Sequence, residues 1–240
     1  MSYVPAEVLT NDNVYGRYFF ISARVLRNYR RAPLPPQFAM VWVPGVDLIP
    51  LSFALASGRV VGFFYKVVGE GTKALSTRSK GDVIGVSEPL GRWHIPQGED
   101  VVFLAGGAGI APFLLYLEHV ENPRGLWGVR QGELAARLTE LFPKLKSLLV
   151  TSEDCTYGLC GKLTDYVDRA PVGRDTEVLI SGPGDMVREV CRRFRGLGLG
   201  RAYVIAESMV KCGIGVCGSC LVGNALLCRD GPVVRCDCFE

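Results

Sequence analysis

The sequence predicts an α+β chain of 240 residues with two domains and a small C-terminal segment. Residues 1–97 contain short runs rich in Val, Ile, Phe and Tyr that are separated by Gly or Pro, a pattern typical of an antiparallel β-barrel. Residues 98–206 alternate apolar strand-like runs with helix-like runs, which indicates an α/β parallel sheet covered on both faces. Residues 207–240 show neither pattern and are rich in cysteine and glycine.

The first domain is predicted to contain strands with one short helix among them. No longer helical period appears between the turn residues, so the strands are expected to pair with their sequence neighbours. The predicted strands are YFFISARVL, FAMVWV, LIPLSFAL, VVGFFYKVV and DVIGVSEPL, and the predicted helix is TKALSTRSK.

The second domain is predicted to alternate strand and helix throughout. Right-handed crossovers in such a sheet place a ligand crevice at the carboxyl ends of the strands. The predicted strands are DVVFLAG, GLWGVR, KSLLVTS, TEVLISG and AYVIAES, and the predicted helical segments are APFLLYLEHV, GELAARLTELF, GKLTDYVD and DMVREVCRRF.

Composition and charge exclude several classes of protein. The net charge is +3 without blocks of like charge, which disfavours nucleic acid or an anionic membrane as partner. The uncharged run 101–117 is slightly short for a membrane span and is interrupted by glycines and Pro112. Because the N-terminus lacks the pattern of a signal peptide, we expect a cytoplasmic protein whose nine cysteines are reduced unless they bind a metal.

Two glycine turns follow strands of the second domain. Gly106, Gly107 and Gly109 lie in GGAGIAP, and Ser181 and Gly182 open SGPGDM. Glycine at such turns lets backbone N–H groups approach a pyrophosphate, although a tight turn without a ligand explains either motif alone. Two such turns at one sheet edge favour a bound nucleotide. RQGELAARL is best interpreted as a solvated helix face, although Arg130 at its start lies near the crevice and could meet the adenosine end of a dinucleotide.

The tail contains the most specific motif in the chain. Cys212, Cys217 and Cys220 have the C-x4-C-x2-C spacing of plant-type [2Fe–2S] ligation, and Cys228 supplies the more distant fourth ligand. Zinc sites usually pair two C-x-x-C knuckles, a thioredoxin-type pair opens a helix, and a c-type haem site needs a following His, so these alternatives are disfavoured. Disulfides conflict with the expected compartment.

The other five cysteines are given structural interpretations. Cys191 is expected in the core of a helix, and Cys155 and Cys160 are expected to be reduced thiols in a loop. Cys236 and Cys238 compete with Cys228 as alternative fourth ligands of a cluster.

A barrel with PLS (Pro50 to Ser52) and GEGT (Gly69 to Thr72), followed by GGAGIAP and SGPGDM, resembles the ferredoxin–NADP reductase family. The resemblance implies FAD in the barrel and a nicotinamide dinucleotide in the α/β domain. It implies that EPLG, residues 88–91, turns beneath the flavin. By the same resemblance the residues that line the flavin or hold its pyrophosphate are Pro50, Leu51, Ser52, Lys66, Val67, Gly71 and Thr72.

The chain departs from this family's pattern at two positions. Ile49 stands where the family usually has Arg, so another cation, Lys66 or Lys73, is needed at the flavin phosphate. Ser181 stands where the nicotinamide-side motif usually begins with Cys. Taken alone, GEGT is also explained as a turn with a helical cap.

The tail narrows the resemblance to the electron-transfer subunits of NAD-linked dihydroorotate dehydrogenases, which function in pyrimidine biosynthesis. That resemblance implies FAD, a [2Fe–2S] cluster and NAD(H) as cofactors, with a catalytic FMN-containing partner subunit that oxidises dihydroorotate in a heterotetramer of two plus two. No general base for dihydroorotate is evident in this chain, so no catalytic residue is assigned. One departure is the short interval before Cys228, which leaves little room for the hairpin that usually precedes the fourth ligand.

Electron counting fixes the order of carriers that this resemblance implies. Nicotinamide transfers two electrons as hydride and an iron–sulfur cluster transfers one, whereas flavin can do both. Diaphorase-type small subunits of NAD(P)-linked hydrogenases and ferredoxin:NADP oxidoreductases share this arrangement of domains and cofactors, so they are alternative functions. A zinc-stabilised binding protein is an alternative of another class. The sequence does not decide between NAD and NADP.

Overall fold

The computed structural model describes residues 2–96, 100–173, 175–197 and 201–239. The predicted domain boundary between residues 97 and 98 lies outside the described residues. The elements of the first part are β1 (Tyr3–Tyr15), β2 (Tyr18–Val25), β3 (Phe38–Val43), β4 (Asp47–Ser52), β5 (Leu55–Ser57), β6 (Val60–Lys66), α1 (Glu70–Ser76) and β7 (Val83–Ser87).

These strands form a curled antiparallel sheet in the order β4-β3-β7-β1-β2-β6-β5. The edge strands β4 and β5 are consecutive in the chain and separated by Phe53 and Ala54, so the sheet bends back on itself. The two halves of the predicted run LIPLSFAL therefore lie at opposite edges. Every other predicted strand and the short helix of this domain are confirmed.

The long strand β1 was not predicted. It pairs with both β2 and β7, and its alternate residues Val4, Ala6 and Val8 are fully buried. The alternation of apolar residues is visible in the sequence, but Pro5 and the polar stretch 11–13 resemble turn signals. The strand tolerates them because the alternation buries one complete face.

The second part is an α/β sheet whose strands run parallel in the order β11-β10-β9-β8-β12-β13. Every residue of the central strand β8 is buried, and its side chains alternate between two hydrophobic clusters, one on each face. The elements are β8 (Val101–Gly106), α2 (Ala111–Tyr116), β9 (Arg124–Val129), α3 (Gly132–Leu141), β10 (Leu149–Ser152), β11 (Leu159–Cys160), β12 (Glu177–Ser181), α4 (Gly184–Gly196) and β13 (Ala202–Ile205).

One predicted helical segment is wrong. GKLTDYVD forms two short 3-10 turns, Leu163–Asp165 and Val167–Arg169, in place of a helix. The carboxylate of Asp165 accepts a hydrogen bond from the Lys162 backbone N–H at 2.8 Å. Such local side-chain bonds compete with the helical ladder, and the segment is too short to recover the loss.

The C-terminal segment contains a hairpin and a strand that joins the α/β sheet. β14 (Leu221–Val222) and β15 (Ala225–Leu226) pair across a two-residue turn, and β16 (Val233–Arg235) pairs antiparallel with β13. The expectation that the interval before Cys228 leaves little room for a hairpin is wrong. Two-residue strands suffice because Gly223 adopts a φ of 55° in the turn.

Two disulfides contradict the expectation that all nine cysteines are reduced. Cys155 pairs with Cys160, because the loop from β10 to β11 returns the chain to a Cα–Cα distance of 4.3 Å. Cys191 is buried on α4 as predicted but pairs with Cys236 across a Cα–Cα distance of 5.3 Å. Cys236 is therefore not available as a cluster ligand in this structure, and Cys238 is a free, exposed thiol.

The segment between the two domains is anchored on the α/β sheet by a buried carboxylate. Glu177 is 4% exposed, and its Oε1 and Oε2 lie 2.5 Å from His94 Nε2 and 3.0 Å from Arg201 Nη2. Burial raises the pKa of Glu177, but the hydrogen bonds and charges of His94 and Arg201 outweigh it and hold the pKa below its usual 4.5. The Tyr116 hydroxyl donates to the His94 carbonyl at 2.6 Å.

Across the described ranges, none of the helices combines the length and the apolar character that a membrane crossing needs.

Candidate functional site

A crevice lies where the order of the α/β sheet reverses, between β8 and β12. The chain proceeds from β8 outward to β9, β10 and β11, then returns to β12 on the other side of β8. The loops that leave β8 and β12 therefore diverge, and the carboxyl ends of these strands border the opening. This is the position that the sequence predicted for a nucleotide.

The two glycine turns are in direct contact at this point. A Cβ on Gly109 would lie 2.6 Å from the Gly182 nitrogen, and a Cβ on Gly106 would lie 2.9 Å from Pro183 Cδ. Any larger residue would separate the two loops, so glycine is needed for close approach rather than for flexibility. Gly107 also has a φ of 52°, in the region that favours glycine.

A single cavity of about 1250 Å³ joins this crevice to the antiparallel sheet and to the C-terminal segment. Of the twelve residues predicted to bind FAD or the dinucleotide, ten line it and Val67 and Gly71 do not; the four cysteines predicted to bind the cluster do not line it either. Leu227, Pro232 and Phe239 of the C-terminal segment are among the lining residues. The predicted residues that line the cavity are Pro50, Leu51, Ser52, Lys66, Thr72, Gly106, Gly107, Gly109, Ser181 and Gly182.

Lys66 brings a positive charge to the wall that β4 and β6 form. Its Nζ lies 5.3 Å from the centroid of the Tyr18 ring, which itself stacks on Phe64. Ile49 also lines this wall, whereas Lys73 does not. Of the two lysines expected to compensate for the missing Arg, Lys66 is the one that faces the cavity.

The GEGT turn is a helical cap at the start of α1. The Thr72 hydroxyl accepts hydrogen bonds from the backbone N–H groups of Val68 and Gly69 at 2.9 and 3.1 Å, and it donates to the Gly69 carbonyl. Gly71 packs against Asp47, where a Cβ would lie 2.8 Å from Asp47 Cβ. The turn therefore has the capping role that the sequence also allowed, and Thr72 reaches the cavity from within it.

Two polar side chains in the cavity stand out: Ser181, which was predicted to bind the dinucleotide, and Glu207, which was not predicted. The Ser181 hydroxyl is fully buried and has no hydrogen-bond partner among the described residues. Glu207 lines the cavity and is exposed to it, and desolvation by the surrounding protein raises its pKa. Ser181 is the last residue of the apolar strand β12, and Glu207 lies two residues after the apolar strand β13; a polar residue at the carboxyl end of an apolar run is the signal that would identify them.

One basic and one acidic side chain line the crevice at the ends of β9 and β10. Arg130 follows β9, Glu153 follows β10, and both line the cavity. The strands pair Val129 with Ser152, so these two charged residues leave the sheet side by side.

The four cysteines predicted as cluster ligands lie in one segment as two pairs. Cys220 and Cys228 are buried with their Sγ atoms 3.5 Å apart, whereas Cys212 and Cys217 lie nearer the surface. Within the described ranges, no group of three or more metal-binding side chains is close enough to hold a single metal ion.

Backbone amides surround these thiols. Ile214, Val216 and Cys217 donate backbone hydrogen bonds that lower the pKa of Cys212 to about 6. Burial raises the pKa of Cys228 to about 11, although the Gly215 N–H also points at its sulfur. The positive φ angles of Gly213, Gly215 and Gly218 wrap the loop so that its N–H groups face inward, as sulfur ligands of a cluster require.

The cysteine segment is hydrogen-bonded to the turn predicted to lie beneath the flavin. Gly91 N–H donates to the Cys228 carbonyl at 3.0 Å, and Arg92 N–H donates to the Gly231 carbonyl at 2.5 Å. The proposed fourth ligand is thus joined to the antiparallel domain by a direct backbone contact.

Solved structures of a ferredoxin-NADP oxidoreductase and of a ferredoxin NADP+ reductase are similar to this chain. No protein-family model matches the chain. The structure of an NADH-dependent reduced ferredoxin-NADP oxidoreductase, described for flavin-based electron bifurcation, has a TM-score of 0.82 at 25% identity and covers 98% of this chain and 89% of its own. A ferredoxin NADP+ reductase from Neisseria gonorrhoeae, solved with bound FAD and NADP, has a TM-score of 0.71 at 16% identity over 85% of this chain and 98% of its own. The fold is that of the ferredoxin–NADP reductase-like proteins.

Sequence relatives define the family more closely. A probable dihydroorotate dehydrogenase B (NAD(+)) electron transfer subunit from Archaeoglobus fulgidus is 34% identical over 224 residues, which is 92% of this chain and 91% of the relative. The protein of the same name from Methanopyrus kandleri is 32% identical over 236 residues, 96% of this chain and 89% of the relative. The chain belongs to this family of electron transfer subunits, and it is an oxidoreductase subunit.

Proposed function

We propose that this chain passes electrons between NAD(H) and a catalytic partner subunit that oxidises dihydroorotate to orotate, using FAD and a [2Fe–2S] cluster. The observation that carries the proposal is the single cavity bordered by all three parts of the chain. The cavity reaches the cysteine segment at Leu227, which precedes the predicted ligand Cys228 in sequence. The stoichiometry of two plus two and the domain limits 1–97, 98–206 and 207–240 form part of the same proposal.

The antiparallel domain would hold FAD. When bound, a flavin exchanges a hydride with nicotinamide and single electrons with a one-electron carrier. Lys66 would neutralise flavin phosphate in place of the family's Arg, since it is the cavity-facing lysine of this wall. Pro50, Leu51 and Ser52 would surround the ring, with Val67 next in sequence to the lining residues Lys66 and Val68, and the capped turn at Gly71 and Thr72 would lie at the pyrophosphate.

The α/β domain would hold NAD(H) at the glycine turns. Gly106, Gly107 and Gly109 would leave room for the pyrophosphate at the backbone. The buried Ser181 hydroxyl has an unused donor and acceptor, and a nicotinamide amide placed against it would satisfy both. This unsatisfied hydroxyl supports the fit of a dinucleotide to the chain.

Cys212, Cys217, Cys220 and Cys228 would hold the cluster. Their division into two pairs suits a centre with two irons and two thiolates on each, and it does not suit one zinc ion with four ligands. The loop amides around Cys212 would stabilise negative charge on the sulfurs. Cys238 is a free thiol outside this group and serves as a control.

The absorption spectrum and cofactor content of the purified protein test the proposal. We expect flavin bands with a red-brown shoulder at longer wavelength, together with iron and labile sulfide at about two each, because plant-type ligation holds two irons. Anaerobic NADH is expected to bleach the flavin bands. A colourless protein that contains zinc, or a flavin that NADH does not reduce, contradicts the proposal.

A further inference from the structure

A tyrosine of the antiparallel domain reaches the glycine turns of the α/β domain. Tyr18 is the first residue of β2 and lies opposite Lys66 of β6 in the register of the sheet. Its side chain lines the cavity and packs against the hydrophobic cluster on one face of the α/β sheet. Its hydroxyl oxygen lies 3.6 Å from the position that a Cβ on Gly107 would take. The hydroxyl therefore stands beside the turn at which the dinucleotide pyrophosphate is proposed to bind.

The Tyr18 hydroxyl is an unused hydrogen-bonding group. In the same sheet, the Tyr65 hydroxyl donates to Asn11 Oδ1 at 3.1 Å. The Tyr18 hydroxyl makes no hydrogen bond with any residue that the structure describes. The nearby Gly107 carbonyl already accepts a hydrogen bond from Trp127 Nε1 at 3.1 Å. Because a tyrosine hydroxyl is a donor as well as an acceptor, its proton is available to a ligand in the cavity.

The ring that carries this hydroxyl is held in place by two contacts. It stacks on Phe64 with the ring centroids 5.9 Å apart and the planes 10° apart. The Lys66 ammonium lies 5.3 Å from the centroid of the Tyr18 ring. Both partners belong to β6, the strand next to β2 in the sheet. The donor is thus positioned before a ligand binds, and a preorganised group loses little conformational freedom on binding.

The surroundings of Gly107 suit a phosphate oxygen. Apart from the backbone of the turn itself, the Tyr18 hydroxyl oxygen is the only described heavy atom within 4 Å of the position that a Cβ on Gly107 would take. Glycine therefore leaves space between the turn and the hydroxyl. A phosphate oxygen in this space can accept hydrogen bonds from the Tyr18 hydroxyl and from backbone N–H groups of the turn. Hydrogen bonds to an ionised acceptor are about twice as strong as those between neutral groups.

We propose that the Tyr18 hydroxyl donates a hydrogen bond to the pyrophosphate of the dinucleotide at Gly107. The inference rests on the proposed function, because it requires a nicotinamide dinucleotide at the glycine turns. It adds to that function a binding residue from the other domain, so that the antiparallel domain completes a site built mainly by the α/β domain. Tyr18 binds the ligand and takes no part in hydride transfer.

The test compares Tyr18→Phe with Tyr15→Phe by anaerobic stopped-flow reduction of the FAD-loaded protein with NADH. Tyr15 pairs with Tyr18 across the strands and packs against the same cluster, but it does not line the cavity. Its variant therefore removes the same hydroxyl group outside the site. We expect Tyr18→Phe to raise the half-saturating NADH concentration by about tenfold, as for a lost hydrogen bond to a charged group. The limiting rate of flavin reduction should change by less than about twofold, because the pyrophosphate is bound equally before and during hydride transfer. The FAD content should stay at the wild-type level, since phenylalanine keeps the ring beside Lys66.

ADP-ribose and adenosine, used as competitors of NADH, locate the hydrogen bond on the dinucleotide. ADP-ribose contains the pyrophosphate without the nicotinamide, and adenosine contains neither. Tyr18→Phe should weaken inhibition by ADP-ribose by the same factor as the binding of NADH, and it should leave inhibition by adenosine unchanged.

Four results would overturn the inference. They are equal half-saturation by NADH in the two variants, unchanged inhibition by ADP-ribose, an equal loss of inhibition by adenosine, and a loss of FAD from Tyr18→Phe. A wild-type flavin that NADH does not reduce overturns the proposed function instead, so the two failures are distinguishable.

Discussion

Replacing Gly91 by alanine tests whether the cysteine segment is docked on the antiparallel domain. Gly91 has a φ of 75°, and its N–H donates to the Cys228 carbonyl. A Cβ there would lie 2.5 Å from the Gly231 carbonyl oxygen and 2.9 Å from Pro232 Cδ. The first distance is about 0.9 Å short of the 3.4 Å at which ordinary contact begins. The segment must therefore move away, and the hydrogen bond to Cys228 must lengthen.

The expected loss of unfolding free energy in Gly91→Ala is the sum of two separate costs. Alanine in the left-handed region costs about 1–2 kcal/mol, and forcing extra volume into a packed contact costs about 1–3 kcal/mol. Gly45 provides a matched control because its φ is 76° and a Cβ there would meet nothing within 4 Å. We expect Gly45→Ala to lose only the first cost and Gly91→Ala to lose about 2–5 kcal/mol of unfolding free energy.

Urea unfolding of the cofactor-loaded protein, followed by tryptophan fluorescence, measures this difference. Trp93 lies two residues from Gly91 and is 59% exposed, so its emission also reports local release of the segment. A lower midpoint at an unchanged slope would show a loss of stability without a change in the surface exposed. Equal midpoints for the two variants would refute the reasoning, because the contact with Gly231 and Pro232 would then contribute nothing.

Three other predictions concern the proposed cofactor sites and the interdomain anchor. Lys66→Met should weaken FAD binding by about tenfold or more, as expected for a lost hydrogen bond to a charged group, whereas Lys73→Met should not. The amount of FAD that each variant retains after dilution and gel filtration measures this difference. Equal losses of FAD from the two variants would contradict the role of Lys66. Cys228→Ser should lower iron and labile sulfide while Cys238→Ser leaves both unchanged, and the reverse result would reassign the fourth ligand. Because the pKa of Glu177 is lowered in the folded state, its contribution to stability is present above its unfolded value of 4.5 and is lost as the pH falls below it. The difference in melting temperature between wild type and Glu177→Gln should therefore shrink between pH 6 and about pH 3.5, and a difference that is constant with pH would exclude this linkage.

The α/β sheet could be predicted well because its signals are local. Each strand of this sheet from β8 to β13, apart from the two-residue β11, is a short apolar run next to a glycine turn or a helix with a clear period. The strand β16 could not be found in this way, since Val233–Arg235 has only three residues and pairs with β13, which is nearly thirty residues earlier. Its pairing depends on tertiary contacts rather than on its own pattern.

The pairing of the cysteines could be predicted only in part from the sequence. Spacing identified four of them as a group, and the structure places Cys220 and Cys228 3.5 Å apart without bringing three or more ligating side chains of the described residues together. Cys191 and Cys236 were expected to be reduced in a cytoplasmic protein, but the fold brings them together across 45 residues of chain. Pairing over such a distance is decided by how α4 packs on the tail, and neither residue type nor spacing contains that information.

The tail has little structure that would be stable by itself. A hairpin with two residues in each strand cannot persist alone in water, and the loop that contains three of the four cysteines is rich in glycine. Its order comes from attachments to the rest of the chain: the pairing of β16 with β13, the disulfide to α4, and the backbone bond to Gly91. The first two fix the tail to the α/β domain, and the third fixes it to the antiparallel domain. The relative positions of Cys220 and Cys228 therefore depend on the packing of both domains, and a substitution at Gly91 should disturb these thiols although it lies more than a hundred residues away in sequence.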